Sequence, residues 1–146
     1  MIRRMLLPAC LLLAAPALAS TVCASGDEPE VPAAPARQIT VRLSEYQFAP
    51  SKIVLKAGET VELTLINEGT VTHEFVTLAL SSLEVTVTTA GVETETVGVV
   101  EVELQPRSQA QLRFTPDTAG EYPFACHANK PADHATLGMM GTLIVK

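Results

Sequence analysis

A cysteine, two histidines and a methionine stand where they could bind one metal ion. Cys126, His134 and Met139 lie near the end of the chain, in the run YPFACHANKPADHATLGMMGTLIV, and His73 lies upstream in EGTVTHEF. A thiolate, two imidazoles and a thioether are the ligands of a trigonal copper with a long axial methionine bond. Zinc more often takes further cysteines or a carboxylate. The set of residue types therefore indicates copper.

The scarcity of these residue types strengthens that interpretation. The chain has three histidines, and outside its first residues its methionines are Met139 and Met140, which stand between glycines in one loop. Methionine commonly fills irregular cores, and neither of these two has the sequence context of a core position. Each candidate alone would suit an ordinary surface loop or, for Cys126, a small buried hydrophobe. The combination favours a metal site.

Three motifs around the candidate ligands resemble the cupredoxins, the type 1 blue copper family of plastocyanin, azurin and auracyanin. They are N-x-G-x-x-x-H-E-F at Asn67 to Phe75, G-E-Y-P-F-A-C at Gly120 to Cys126, and H-x4-M-x-G beginning at His134. The resemblance covers residues 39 to 146. The order of the last two motifs is its specific part, because the first motif alone would be weak.

The resemblance implies one type 1 copper per chain. Carried over, His73, Cys126 and His134 match the equatorial ligands, and Met139 matches the axial ligand. Met140 ranks second, because its spacing from His134 does not fit the motif. The aromatic residues near the thiolate are expected to pack around the strand that bears it; they are Phe75, Tyr122 and Phe124.

The chain departs from the family pattern at two places. Seven residues separate Cys126 from His134, more than in plastocyanin-like loops, which predicts an insertion within Asn129 to Asp133. Glu74 follows His73 where many members have an asparagine that hydrogen-bonds the ligand loop. The surroundings of the ligands must therefore be built differently here.

His127 invites two interpretations. Neighbouring residues on a strand point to opposite faces, so a His127 ring next to a metal-facing Cys126 should point away from the metal. It is then either an exposed polar residue or an exit route for an electron through the backbone of the thiolate ligand.

The elements that must position the ligands are predicted to be β-strands. Apolar and polar residues alternate in four stretches: Val61 to Leu65, Leu83 to Val87, Val100 to Leu104 and Ala110 to Phe114. Turn signals separate them. Seven or eight short strands predict an all-β, Greek-key β-sandwich, the cupredoxin-like fold that the resemblance also implies. The segment 79 to 104 should hold an extra hairpin, and Leu78 to Leu83 could form a short helical turn.

The N-terminus has the pattern of a secretory signal. Arg3 and Arg4 precede an apolar run, and Ala17-Leu18-Ala19 forms a small-residue cleavage site. The run is too short for a membrane span. We expect a signal peptide over 1–19, a Pro-, Ala- and Glu-rich linker over 20–38, and one domain over 39–146. The mature protein is then exported to the periplasm or outside the cell.

The three cysteines have different expected fates. Cys10 would leave with the signal peptide, Cys126 is the proposed ligand, and Cys23 stands just past the cleavage point. An unpaired cysteine in an exported protein requires an explanation. A lipid anchor on Cys23 would supply one and would tether the domain to a membrane through the linker. Against this, Ser20-Thr21-Val22 departs from the usual lipoprotein box. A disulfide from Cys23 to Cys126 would destroy the copper site.

Charge restricts the partners. Loss of Arg3 and Arg4 would leave eight basic against sixteen acidic residues, a formal charge near −8. Nucleic acid is therefore not an expected partner, because its phosphates require a basic face. A cationic redox partner such as a c-type cytochrome would be attracted, although the charge could also serve solubility alone. We expect a monomer.

Three function classes follow from these observations. The favoured one is a type 1 copper protein that carries single electrons between redox partners outside the cytoplasm, and not an enzyme. The alternative is a periplasmic module that buffers or hands over copper, which an inserted loop and a Met139-Met140 pair would suit. An enzyme domain like one repeat of a copper nitrite reductase or multicopper oxidase would need further histidines, which the chain lacks once His73 and His134 are assigned.

Overall fold

The computed structural model describes residues 35 to 146, which form eleven strands in two sheets packed face to face. The predicted signal peptide, most of the predicted linker and Cys23 lie outside the described residues. The prediction of an all-β sandwich is confirmed, with more strands than the seven or eight expected. Among the described residues there is no helix long and apolar enough to cross a membrane.

One sheet has six strands and the other has five. The six-stranded sheet contains β1 (Arg37–Ser44), β2 (Gln47–Ala49), β4 (Val61–Asn67), β6 (Glu84–Thr89), β7 (Val92–Val97) and β9 (Gln109–Phe114). The five-stranded sheet contains β3 (Lys52–Leu55), β5 (His73–Thr77), β8 (Glu101–Leu104), β10 (Gly120–Ala125) and β11 (Met140–Val145). Their orders are β2-β1-β4-β9-β6-β7 and β3-β11-β10-β5-β8. The pairs β1–β4 and β3–β11 are parallel and the other pairs are antiparallel.

The alternation of side chains along the strands forms the core. Val61, Leu63 and Leu65 of β4 are buried, with the intervening residues half-buried. In β9 every second residue from Ala110 to Phe114 is buried in the same way. The alternating stretch at 100–104 starts one residue later than predicted, because Val100 is exposed and the strand begins at Glu101.

The predicted extra hairpin is present as β6 and β7, joined at Ala90 and Gly91. It extends the six-stranded sheet beyond β9, and all six residues of β7 are exposed. The segment before it, Leu78 to Leu83, forms successive turns and not a helix. The N–H of Ser81 donates to the carbonyl of Leu78 (3.2 Å), and the N–H of Leu83 donates to that of Leu80 (3.4 Å).

Three phenylalanines fill the core below one end of the five-stranded sheet. Their ring centroids lie 4.9 Å apart for Phe75 and Phe124, 5.0 Å for Phe48 and Phe124, and 6.0 Å for Phe48 and Phe75. Such edge-to-face and tilted contacts favour one arrangement of the rings. Tyr122 of β10 is partly buried and packs against the core, while its hydroxyl donates to the carbonyl of Thr118 (3.1 Å).

Gly141 allows β11 to pack tightly against the core. A Cβ at this position would overlap the ring of Phe124 and the backbone carbonyl of Ser51. That carbonyl accepts the N–H of Thr142 (2.8 Å), so it cannot move away without a lost hydrogen bond. Gly141 is therefore a packing requirement of the strand that follows Met139.

Gly141→Ala should lower the free energy of unfolding by about 2–3 kcal/mol, because the added methyl overpacks a site that cannot relax. Gly91→Ala is the matched control. Its Cβ would meet open space, and the positive φ of 79° alone should cost about 1 kcal/mol. Urea unfolding of the metal-free proteins measures both values. An equal loss in the two variants would contradict the packing argument.

Candidate metal centre

The four predicted ligands meet at one end of the five-stranded sheet. His73 is the first residue of β5, Cys126 directly follows β10, and Met139 directly precedes β11. These three strands are neighbours in the order β11-β10-β5, and each pair is antiparallel. The starts of β5 and β11 and the end of β10 therefore lie at the same end of the sheet. His134 lies in the loop that joins β10 to β11.

Strand alternation turns two of the ligands toward the core. His73 and Phe75 are both buried and lie two residues apart on β5, as do Phe124 and Cys126 at the end of β10. Residues at this spacing share one face of a sheet. The phenylalanine cluster is therefore the floor of the site.

The ligand atoms of His73, Cys126 and His134 converge on one point. Nδ1 of His73 lies 3.2 Å from Nδ1 of His134, and the Cys126 Sγ lies 3.2 Å from Nδ1 of His134 and 3.9 Å from Nδ1 of His73. A metal with bonds of about 2.0–2.3 Å holds its ligand atoms roughly 3–4 Å apart. All three residues are fully buried, and their spacing fits a metal ion bound through Sγ and both Nδ1 atoms.

The loop from Cys126 to Met139 is held by its own backbone. The N–H of Cys126 donates to the carbonyl of Met139 (3.1 Å), and the N–H of Met139 donates to that of His134 (3.0 Å). Asp133 accepts the N–H of Thr136 (3.1 Å), which starts the turn after His134. The two backbone hydrogen bonds fix the positions of His134 and Met139 relative to Cys126.

Two further contacts orient the ligand atoms. The backbone N–H of Glu74 donates to the Cys126 Sγ (3.2 Å), and Nε2 of His134 lies 2.9 Å from the carbonyl of Lys130. A hydrogen bond from Nε2–H leaves the Nδ1 lone pair of His134 free to bind a metal. Lys130 lies within the predicted insertion, so the residues of the longer loop support a ligand.

The two methionines have opposite environments. Met139 is 0% exposed and Met140 is 56% exposed. The buried methionine, Met139, is the one whose spacing from His134 fits the motif. His127 is exposed, as expected for a residue that points away from a buried neighbour.

Sequence reasoning missed two residues that lie beside the histidine ligands. The ring of Tyr46 packs against both histidine ligands, with centroid distances of 4.7 Å to His134 and 6.4 Å to His73. Glu45 lies beside it in the turn between β1 and β2. The alternation of Tyr46 with Phe48 in SEYQFAP could have predicted a shared face, but nothing local shows that the face covers a metal site.

Burial disfavours charge on the ligand side chains. Burial lowers the pKa of His73 below 6.5, and the nearby charge of His134 lowers it further. Burial also raises the pKa of the Cys126 thiol above 9.0, against the effect of the Glu74 N–H. Both shifts favour the uncharged form of the side chain. Copper must displace the thiol proton to bind.

Substitution of the methionines tests the assignment of the axial ligand. Met139→Gln should shift the thiolate-to-copper charge-transfer band and the reduction potential while copper stays bound, because a weak axial bond tunes the metal more than it holds it. Met140→Gln should change neither. Visible spectra and voltammetry of the copper-loaded variants measure both effects, with Cys126→Ser as the reference that lacks the band. An effect from Met140→Gln alone would show that Met139 is not the axial ligand.

Several solved structures share this fold. Auracyanin from Roseiflexus castenholzii has 18% identity and a TM-score of 0.55, with 76% of this chain and 98% of that chain covered. Auracyanin B has 22% identity and a TM-score of 0.54, with 80% and 93% covered. A multicopper oxidase from Campylobacter jejuni has 17% identity and a TM-score of 0.59, but this chain spans 31% of its length. At these identities the likeness shows the fold alone.

A search of curated proteins finds no match. A family model described as the cupredoxin-like domain matches residues 5–145. The buried cluster of His73, Cys126, His134 and Met139 has the ligand types of a type 1 copper site. The chain therefore belongs to the cupredoxin-like family.

Proposed function

We propose that the protein is an electron carrier that shuttles single electrons between redox partners outside the cytoplasm. The observation that carries the proposal is the convergence of Sγ and two Nδ1 atoms, 3.2 to 3.9 Å apart, in a buried pocket. Bound copper would supply a one-electron change between Cu(II) and Cu(I). Ligands that are buried and held by hydrogen bonds suit that change, because the same ligands then serve both states.

The surroundings of the ligands favour electron transfer over catalysis. The phenylalanine cluster lies below the site and Tyr46 covers the histidines, so the ligands are kept from water. The hydrogen bonds from Glu74 and to Lys130 hold the ligand atoms in place. In the described chain no further histidine faces the site, because His127 is exposed. These residues restrain the ligands and shield them from solvent.

We propose a cationic redox protein as the partner. Three carboxylates lie close together beside the site, those of Glu74, Glu101 and Glu103. Glu74 and Glu103 are direct cross-strand neighbours on β5 and β8, a pairing of like charges that disfavours folding. Burial raises the pKa of Glu74, and repulsion from Glu101 raises it further. A positively charged partner would relieve this repulsion.

This acidic group is close to the Cys126 ligand. The N–H of Glu74 donates to Sγ, and the exposed His127 is covalently next to Cys126. A partner docked on the carboxylates would therefore meet the chain within a few bonds of the thiolate. An exit route through Cys126 and His127 is part of the proposal.

Copper delivery is the second candidate. The exposed thioether of Met140 is next to the buried Met139 and could receive a soft cuprous ion at the surface. Retention of the metal separates the two functions, because a carrier keeps its copper through many turnovers.

One experiment distinguishes carrier from donor. The Cu(I) form is mixed with an oxidised cationic c-type cytochrome in one vessel and with a metal-free copper acceptor in another. We expect rapid reduction of the cytochrome with copper retained, and slow loss of copper to the acceptor. Fast copper loss with sluggish cytochrome reduction would overturn the carrier function and favour delivery.

The acidic group can be tested with the same cytochrome. Glu101→Gln with Glu103→Gln should slow the reaction at low salt about tenfold and weaken its dependence on salt, because steering by charge is lost. The matched control is Glu93→Gln with Glu95→Gln on β7, which removes the same charge from exposed residues of the other sheet. Stopped-flow rates at several salt concentrations measure the effect. Equal slowing by both pairs would mean that net charge acts without a docking face.

A further inference from the structure

The two histidine ligands differ at the ring nitrogen that points away from the metal. Nε2 of His134 has the carbonyl of Lys130 as a partner at 2.9 Å. Nε2 of His73 is buried and has no hydrogen-bond partner. Among residues 35 to 146 it is the one buried side-chain nitrogen or oxygen that lacks such a partner. A histidine that binds metal through Nδ1 carries its proton on Nε2, and that N–H usually meets a carbonyl or carboxylate.

Gly69 leaves a gap beside this nitrogen. A Cβ on Gly69 would lie 2.9 Å from Nε2 of His73, 2.7 Å from Oε1 of Glu45 and 3.0 Å from Oδ1 of Asn67. A carboxylate, an amide oxygen and the ring nitrogen therefore face one another across a glycine. Any larger residue at this position would separate them.

Of the two oxygens, the carboxylate is the stronger candidate. Asn67 is committed to the loop, since its Oδ1 accepts the N–H of Gly69 (2.8 Å) and its Nδ2 donates to the carbonyls of Val71 and Leu104 (both 2.9 Å). The carboxylate of Glu45 carries a negative charge, which interacts with His73 more strongly than an amide dipole does.

The carboxylate of Glu45 is held in place. Its Oε1 accepts the backbone N–H of Thr70 and the Thr70 hydroxyl, the latter at 3.0 Å. Those hydrogen bonds, the backbone N–H first, lower the pKa of Glu45 to about 2. The group is therefore charged at every pH at which the protein would work. Its neighbour Tyr46 packs on both ligand rings, so the turn before β2 belongs to the site.

We propose that Glu45 is a positioning residue that acts on the copper through His73. Across the gap at Gly69, its carboxylate attracts the Nε2–H, fixes the orientation of the ring and makes the imidazole a more basic ligand. A fixed negative charge also favours the more positive metal state. Glu45 would therefore stabilise Cu(II) relative to Cu(I) and lower the reduction potential. The inference rests on the proposed function as a redox centre.

Glu45→Gln removes the charge and keeps an oxygen that can accept the bonds from Thr70. We expect the ratio of Cu(II) to Cu(I) affinity to fall about tenfold, which raises the one-electron potential by about 59 mV. Glu68→Gln is the matched control. Glu68 lies next to Gly69 in the loop after β4 and is exposed like Glu45, but its carboxylate is paired with Arg42. Voltammetry should show a clearly smaller shift for the control.

A second measurement begins with the wild-type protein and reports on the histidine directly. In the diamagnetic Cu(I) protein, the Nε2–H of His73 should give a proton resonance that exchanges slowly with water. In a folded Glu45→Gln protein that resonance should move upfield, and in Glu68→Gln it should stay. Fast exchange in the wild-type protein would overturn the proposal, as would equal potentials for the two variants.

These outcomes are separable from failure of the proposed function. If the protein hands its copper to an acceptor, the affinities for Cu(II) and Cu(I) can still be measured separately, and the effect of Glu45 tested on their ratio. If the protein is a reversible redox centre and Glu45→Gln behaves like Glu68→Gln, the role of Glu45 fails while the electron carrier stands.

Discussion

The hydrogen bond from the backbone N–H of Glu74 to the sulfur of Cys126 ties together the parts of the site that come from different strands. It joins the start of β5 to the end of β10, so that His73 and the thiolate lie at the same end of the sheet. It also stabilises the charged form of a buried sulfur, which burial opposes. The other two ligands are tied to the same cysteine, because the N–H of Cys126 donates to the carbonyl of Met139 and the N–H of Met139 donates to that of His134.

The sandwich supports that contact from below. Phe75 and Phe124 extend the ligand-bearing faces of their strands into the core, and Phe48 brings the other sheet against them. The absence of a side chain at Gly141 lets β11 lie against Phe124. A tightly packed floor of this kind limits movement of the ligands. Such restraint is what a centre that changes charge without rearrangement requires.

The groups around the ligands divide into two electrostatic environments. On one side, Glu45 is held by Thr70 behind His73, where a fixed charge can act on the metal. On the other side, Glu101 and Glu103 crowd Glu74 at the surface, where charge can act on a partner. The first arrangement would set the equilibrium of the copper, and the second would set how fast it meets another protein.

Much of the protein was predictable from local pattern. Alternating residues give strands because side chains on a strand point to opposite faces, and this predicted the sandwich, the extra hairpin and the burial of Ala110, Leu112 and Phe114. The choice of Met139 over Met140 also followed from spacing, and its burial agrees. The set of soft ligand types indicated copper before any geometry was known.

Other features depend on contacts between residues far apart in sequence, which local pattern does not encode. The sequence alone could not show that Tyr46 covers the histidines, or that the Tyr122 hydroxyl donates to the carbonyl of Thr118. Nor could it place Glu45 opposite His73, because that meeting needs a turn of one sheet, a loop after β4 and a strand of the other sheet. Sequence determined the ligand types and the strand periodicity. Only tertiary packing decided which groups surround the ligands, since their distances are set by how the two sheets meet.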